Sequence, residues 1–177
     1  PNALQPLGLL NAWFTVPAEV ELDNWYLMHN APGGRVISIR PGRLPNEQKA
    51  ALSVRSTESY DRGDIAAQLG LLERHFAGVG WEARRLLRAA RSARDFYLDS
   101  MAQVRLDRWS RGRVVLLGDA GYCPTPLTGL GTSLALVGAY ILAGELAATF
   151  DDTTAACKQH AVQGAVDAAG VVPAVGL

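Results

Sequence analysis

Arg113-Val114-Val115-Leu116-Leu117-Gly118-Asp119-Ala120, followed by Pro124, Pro126, Gly129 and Gly131, is the stretch on which the reading of this chain turns. An apolar run ends in Gly-Asp, a turn rich in proline and glycine follows, and a long uncharged segment begins. That order predicts a buried strand with one carboxylate at its C-terminal tip, then a helix whose first N–H groups are exposed by glycine. Those N–H groups have no intrahelical acceptor and sit at the positive end of the helix dipole, which makes an anion site. A carboxylate that accepts sugar hydroxyls, beside a helix start that holds phosphate, suits a nucleotide cofactor.

Outward from this motif, Phe96 to Leu106 predicts the strand that leads into it, with a turn over Asp107 to Gly112. Upstream, Leu7 to Val54 reads as an antiparallel sheet. Its strands are Leu9 to Val16 (closed by Pro17), Trp25 to Asn30, Arg35 to Arg40 and Ala50 to Arg55. Pro32-Gly33-Gly34 makes a hairpin turn, and Arg43 to Lys49 forms the loop before the fourth strand. Asp64 caps a helix carrying Ile65, Leu69, Leu72 and Phe76 at helical spacing, ended by Gly78 and Gly80. Trp81 to Arg91 predicts a second helix. Asp151 to Gln163 could form one more, and Gly164 to Leu177 shows no clear period.

The 177 residues fit one domain, long enough to bury a genuine core. Lys+Arg and Asp+Glu both total 17, so the overall field favours neither nucleic acid nor an anionic membrane. The fourteen residues from Gly131 to Gly144 fall short of the ~20 that cross a bilayer. The only cysteines, Cys123 and Cys157, read as reduced thiols of a cytoplasmic protein. His29, His75 and His160 stand in no zinc-like spacing with them, so no metal is expected. Ser100, Ser110 and Ser133 lack a nucleophile elbow, and no catalytic residue is assigned. Arg84, Arg85, Arg88, Arg91 and Arg94 read as a solvated or salt-bridged helix face.

Arg105 to Ala147 resembles the second flavin-binding motif of the FAD-dependent aromatic hydroxylases, relatives of para-hydroxybenzoate hydroxylase and the tetracycline-modifying monooxygenases. Asn30-Ala31-Pro32-Gly33-Gly34-Arg35-Val36 resembles a substrate-domain hairpin of that family. Phe96-Tyr97-Leu98-Asp99-Ser100-Met101-Ala102-Gln103-Val104 resembles its strand leading into the motif. The family's opening Gly-x-Gly-x-x-Gly turn, which holds the ADP half of FAD, does not occur, nor does its Asp-Gly motif. The resemblance therefore implies an α+β fold: an antiparallel substrate-domain sheet with helices, plus the strand–turn–helix of the second motif, the N-terminal Rossmann-like half being absent. Residues 1–106 would be the sheet and helices, 107–150 the flavin segment, and 151–177 a divergent tail.

The implied parent activity is NAD(P)H- and O2-dependent hydroxylation of an aromatic or polyketide-like small molecule, with FAD as cofactor. By resemblance, Asp119 accepts a hydrogen bond from a ribityl hydroxyl and Gly118 lets the chain turn; otherwise Asp119 simply caps the following turn. Pro126, Gly129, Leu130, Gly131, Thr132 and Ser133 would face the pyrophosphate and the ring edge, with Ser133 where relatives often carry Asn. Arg105 either approaches the pyrophosphate or substrate, or pairs with Asp107. The sheet in this family roofs the substrate, and the candidates on it are Trp13, Tyr26, His29, Arg40, Phe96, Leu98 and Gln103. Because alternate residues share a face, only about half of such a set lines one pocket. The alternative is a flavin-free small-molecule-binding module or inactive fragment. The apolar edge of the Gly-Asp strand predicts a homodimer or swapped assembly that covers it.

Overall fold

The computed structural model describes residues 3–112 and 114–148. Arg113 and the segment from Thr149, including Cys157 and the expected last helix, lie outside the described residues. The fold is α+β. A five-stranded sheet has the order β2-β3-β4-β1-β5, built from β1 (Leu4–Pro17), β2 (Leu27–Ala31), β3 (Arg35–Pro41), β4 (Glu47–Arg55) and β5 (Tyr97–Val104). The β2–β3, β3–β4 and β4–β1 pairs are antiparallel. Helices α1 (Ile65–Phe76) and α2 (Ala83–Ala90) fall between β4 and β5. A short hairpin of β6 (Ser110–Arg111) and β7 (Val114–Val115) then leads to α3 (Asp119–Tyr122), a 3-10 turn (Pro126–Thr128) and α4 (Gly131–Ala148).

The chain divides into two compact units, Gly8–Ser100 and the segments flanking it. In the first, alternation along the strands builds the core. Leu10, Ala12, Phe14 and Val16 of β1 are buried on the same side as Ile37, Ile39, Ala50, Leu52 and Val54. Leu69, Leu72, Phe76 and Leu86 from the helices join that cluster. A fully buried side chain of this size contributes about 1.5–3 kcal/mol, so this face anchors the unit. The second unit has a smaller cluster, in which the ring of Trp109 lies 4.7 Å from that of Tyr122, beside Leu134.

Local chemistry explains where element ends differ from expectation. Asp23 and Asn24 adopt positive φ, and the Trp25 amide bonds back to the Leu22 carbonyl, so β2 starts at Leu27 rather than Trp25. Trp81 has φ +53, which a helix cannot use, and α2 starts at Ala83. A tight hairpin, with the Gly42 amide on the Glu47 carbonyl at 2.9 Å, brings β4 forward to Glu47. Asp64 caps α1 as expected, its carboxylate accepting from the Ala67 amide at 2.8 Å. The basic run is salt-bridged in part: Arg85 to Glu82 and Glu19, Arg91 to Glu73.

The largest correction concerns the apolar run before Gly118. It forms a two-residue strand, and Val114 is 66% exposed, so it is not the buried strand expected. Among the described residues its ladder partner is Ser110–Arg111, extended by one bond from the Leu116 amide to the Trp109 carbonyl. Two residues of pairing cannot bury both faces of a strand.

Candidate functional site

The Gly-Asp motif makes a sharp turn. Gly118 sits at φ +61, ψ −136, a conformation open essentially to glycine alone, and a Cβ there would lie 3.1 Å from that of Ala135. The turn delivers Asp119 to the surface at the start of α3, while Gly118 itself is buried. A Cβ on Gly131 would lie 3.6 Å from the Asp119 Oδ1, so the carboxylate stands beside the first residue of α4. The first helical bond of α4 runs from the Leu134 amide to the Leu130 carbonyl at 2.9 Å. The amides of Gly131, Thr132 and Ser133 precede it and add to the positive helix end. Gly129 is left-handed, with open space where a Cβ would project. Pro126 opens the 3-10 turn; with Leu130, Thr132 and Ser133 it is exposed. The Thr128 hydroxyl donates to the Thr125 carbonyl and accepts from the Leu130 amide, which fixes the loop.

Burial pushes the nearby Cys123 thiol up, and the Asp119 carboxylate beside it adds to the rise. Cys123 is a free cysteine. Arg105 donates to the Gln103 Oε1 at 2.9 Å, and its amide bonds to the Ala3 carbonyl. Gln103 is 1% exposed and its Nε2 has no acceptor among the described residues.

The other candidates fall in the Gly8–Ser100 unit, and strand register sorts them. Trp13, Tyr26 and Arg40 line a 180 Å³ groove on the sheet face opposite the helices, with Ser38, Lys49, Ala51 and Asp95. His29 pairs in register with Ile37, whose row is buried under the helices, and its ring packs on Trp81 at 5.6 Å. Phe96 packs on Phe14, and Leu98 is 3% exposed in the same core. His29, Phe96 and Leu98 therefore belong to the helix-covered side. Sequence reasoning missed Ser38, Lys49 and Asp95. The available signal was the polar alternation Ser38, Arg40 along β3, read across to its neighbours.

Asp95 accepts from the Thr15 amide at 2.9 Å, from the Thr15 hydroxyl, and from Lys49 Nζ at 3.2 Å. Lys49 also donates to the Thr15 hydroxyl. Burial pushes the Asp95 carboxyl up, but the Thr15 bonds and Lys49 outweigh it and hold the pKa at about 2. Trp13 stacks on Tyr97 at 5.9 Å, and the Tyr26 hydroxyl bonds to the Ser38 hydroxyl at 3.1 Å.

A carboxylate and a glycine-opened helix start in one unit, and an aromatic-walled sheet groove in the other, define a cofactor- and ligand-binding class of protein. The FAD binding domain family matches residues 5–158, and the chain belongs to that family. It is 50% identical over 147 residues to the uncharacterized protein Rv1260 of Mycobacterium tuberculosis, spanning 82% of this chain and 39% of that one. A flavin-dependent monooxygenase of Legionella longbeachae is 40% identical over 141 residues, 79% of this chain and 36% of its own. Among solved structures, tetracycline destructase Tet(55) superposes with a TM-score of 0.76 at 40% identity, covering 86% of this chain and 40% of that chain. The chain thus spans about two fifths of the length of these relatives. The Gly118–Asp119 turn, the open space at Gly129 and the free amides of Gly131 to Ser133 fit the sugar-alcohol and ring-edge part of FAD.

Proposed function

We propose that this chain supplies the second flavin motif and the substrate face of a flavin-dependent monooxygenase acting on a planar aromatic or polyketide-like molecule. The overall reaction converts a ring C–H to C–OH, consuming O2, NAD(P)H and a proton and releasing NAD(P)+ and water. FAD, when bound, carries the redox and oxygen chemistry. The chain's own residues bind and orient: Asp119 accepts from a ribityl hydroxyl, and the amides of Gly131, Thr132 and Ser133 stabilise negative charge at the ring edge. The change to Ser133 keeps the backbone donor and gives up a side-chain amide. Trp13 and Tyr26 flank a flat ligand on the sheet. Arg105, held to Gln103, is oriented from the neighbouring strand rather than left to swing. A cytoplasmic setting, where NAD(P)H is at hand and thiols stay reduced, suits this reaction.

The observation that carries this reading is the Asp119 carboxylate set beside the unpaired amides of α4. Its test is the visible spectrum of purified protein after incubation with FAD and gel filtration. Flavin bands that co-elute with the protein, and that Asp119→Ala removes, support it. A protein that stays colourless leaves a flavin-free binding module. Leu136, Val137 and Tyr140 expose an apolar stretch of α4, and we propose that a second copy, paired or swapped, covers it.

A further inference from the structure

The groove on the sheet is built from two adjacent cross-strand rows. In one, Met28, Ser38, Ala51 and Trp13 lie side by side across β2, β3, β4 and β1. Its middle positions are small, which leaves a floor between Trp13 and Tyr26. In the next row, Arg40, Lys49 and Thr15 are direct neighbours. Two cations placed opposite each other on neighbouring strands repel and cost stability. Lys49 is compensated, because Asp95 and Thr15 take its ammonium. Arg40 is not. Among the described residues it makes no ion pair, and its one hydrogen bond is a 3.5 Å contact to the neighbouring Pro41 carbonyl. The three charges lining the groove therefore sum to one positive charge, held on an exposed guanidinium at the end of an aromatic floor.

Resting on the reading of this face as the substrate side, we propose that the groove selects planar aromatic ligands bearing an anionic oxygen group, a carboxylate or enolate, which Arg40 holds. A guanidinium fork matches a carboxylate in two parallel hydrogen bonds, and the flanking rings reduce competition from water. Asp95 does not reverse the preference, because its oxygens are committed to Thr15 and Lys49. At 180 Å³ the groove is below the ~300–1,000 Å³ of drug-sized ligand sites, so it takes one or two fused rings at a time.

The test is calorimetric titration of the full chain with naphthalene-2-carboxylate and its isosteric neutral amide. The acid is expected to bind about tenfold more tightly, the scale of one charge-assisted hydrogen bond in a partly wet site. Arg40→Gln brings the acid to the level of the amide, and added salt does the same. Arg91→Gln, which alters an ion pair on the helices, leaves the ratio intact. Equal binding of acid and amide overturns the anion preference while keeping the aromatic groove. Binding of neither overturns both, and preference for the acid that survives Arg40→Gln assigns the charge to Lys49 instead and overturns the role of Arg40.

Discussion

At Gly118 one missing Cβ fixes the direction in which the chain leaves the hairpin. Alanine there would hold a left-handed backbone and press on Ala135 at 3.1 Å, so Gly118→Ala is expected to cost about 1–3 kcal/mol. A lowered urea midpoint, with flavin retention reduced in parallel, checks it. Asp95 gives a pH signature. Its folded pKa of about 2 lies below the ordinary aspartate value of 3.8, so the stabilisation it provides is present above 3.8 and lost as pH falls through about 2. Half of its side chain is exposed, which keeps the effect small. Asp95→Asn should flatten the acid limb of the stability profile in that window, and an unchanged limb would refute the assignment. The turn at Gly118 was legible in the sequence because a glycine follows an apolar run and precedes a loop rich in proline and glycine. Asp95 was not, since its partners lie 46 and 80 positions away.

Among the elements, α4 is the one in which packing overrides propensity. A Cβ on Gly138 would overlap the Tyr122 hydroxyl and sit 3.2 Å from Leu117. Gly-to-Ala in a helix interior usually gains about 1 kcal/mol, whereas overfilling a packed site costs about 1–3 kcal/mol. Gly138→Ala should therefore be net destabilising. Tyr122→Phe should relieve it, because the Tyr122 hydroxyl is buried without a partner among the described residues; a double-mutant cycle by thermal melting reads the coupling. The helix itself was readable from the uncharged run after the turn rich in proline and glycine, and the strands β1, β3 and β4 from their apolar runs and punctuation. The face of each strand was less so. Phe96 and Leu98 are apolar enough to suit a ligand pocket, yet Phe96 packs on Phe14 and Leu98 is buried in the same core. The short β7 was hidden for a related reason: an apolar run records what is to be buried, and the length of its partner decides how much becomes ladder.

For the whole molecule, the described residues of the two units differ in how much they bury. The Gly8–Ser100 core joins two helices to the inner sheet face, while the other unit gathers Trp109, Tyr122 and Leu134 with a few half-buried neighbours. Hydrogen exchange should find the amides of β3 and β4 slowest and those of α4 markedly faster, since local opening follows buried apolar contact. FAD, where it binds, should slow α4 selectively; uniform protection would argue against a site at its start. Light scattering after gel filtration should give a dimer mass that Tyr140→Glu reduces to the monomer, as that ring is 83% exposed on α4. No helix among the described residues is long and apolar enough to cross a membrane.

Lys49 and Asp95 line both the 180 Å³ groove and a neighbouring 590 Å³ cavity that reaches to Ala89, Ser92 and Arg94. The two residues common to both spaces form an ion pair. Such a boundary is adjustable by single residues. On the proposed reading of this face as the substrate side, ligand length is set at this ion pair, and Lys49→Ala is expected to admit longer molecules.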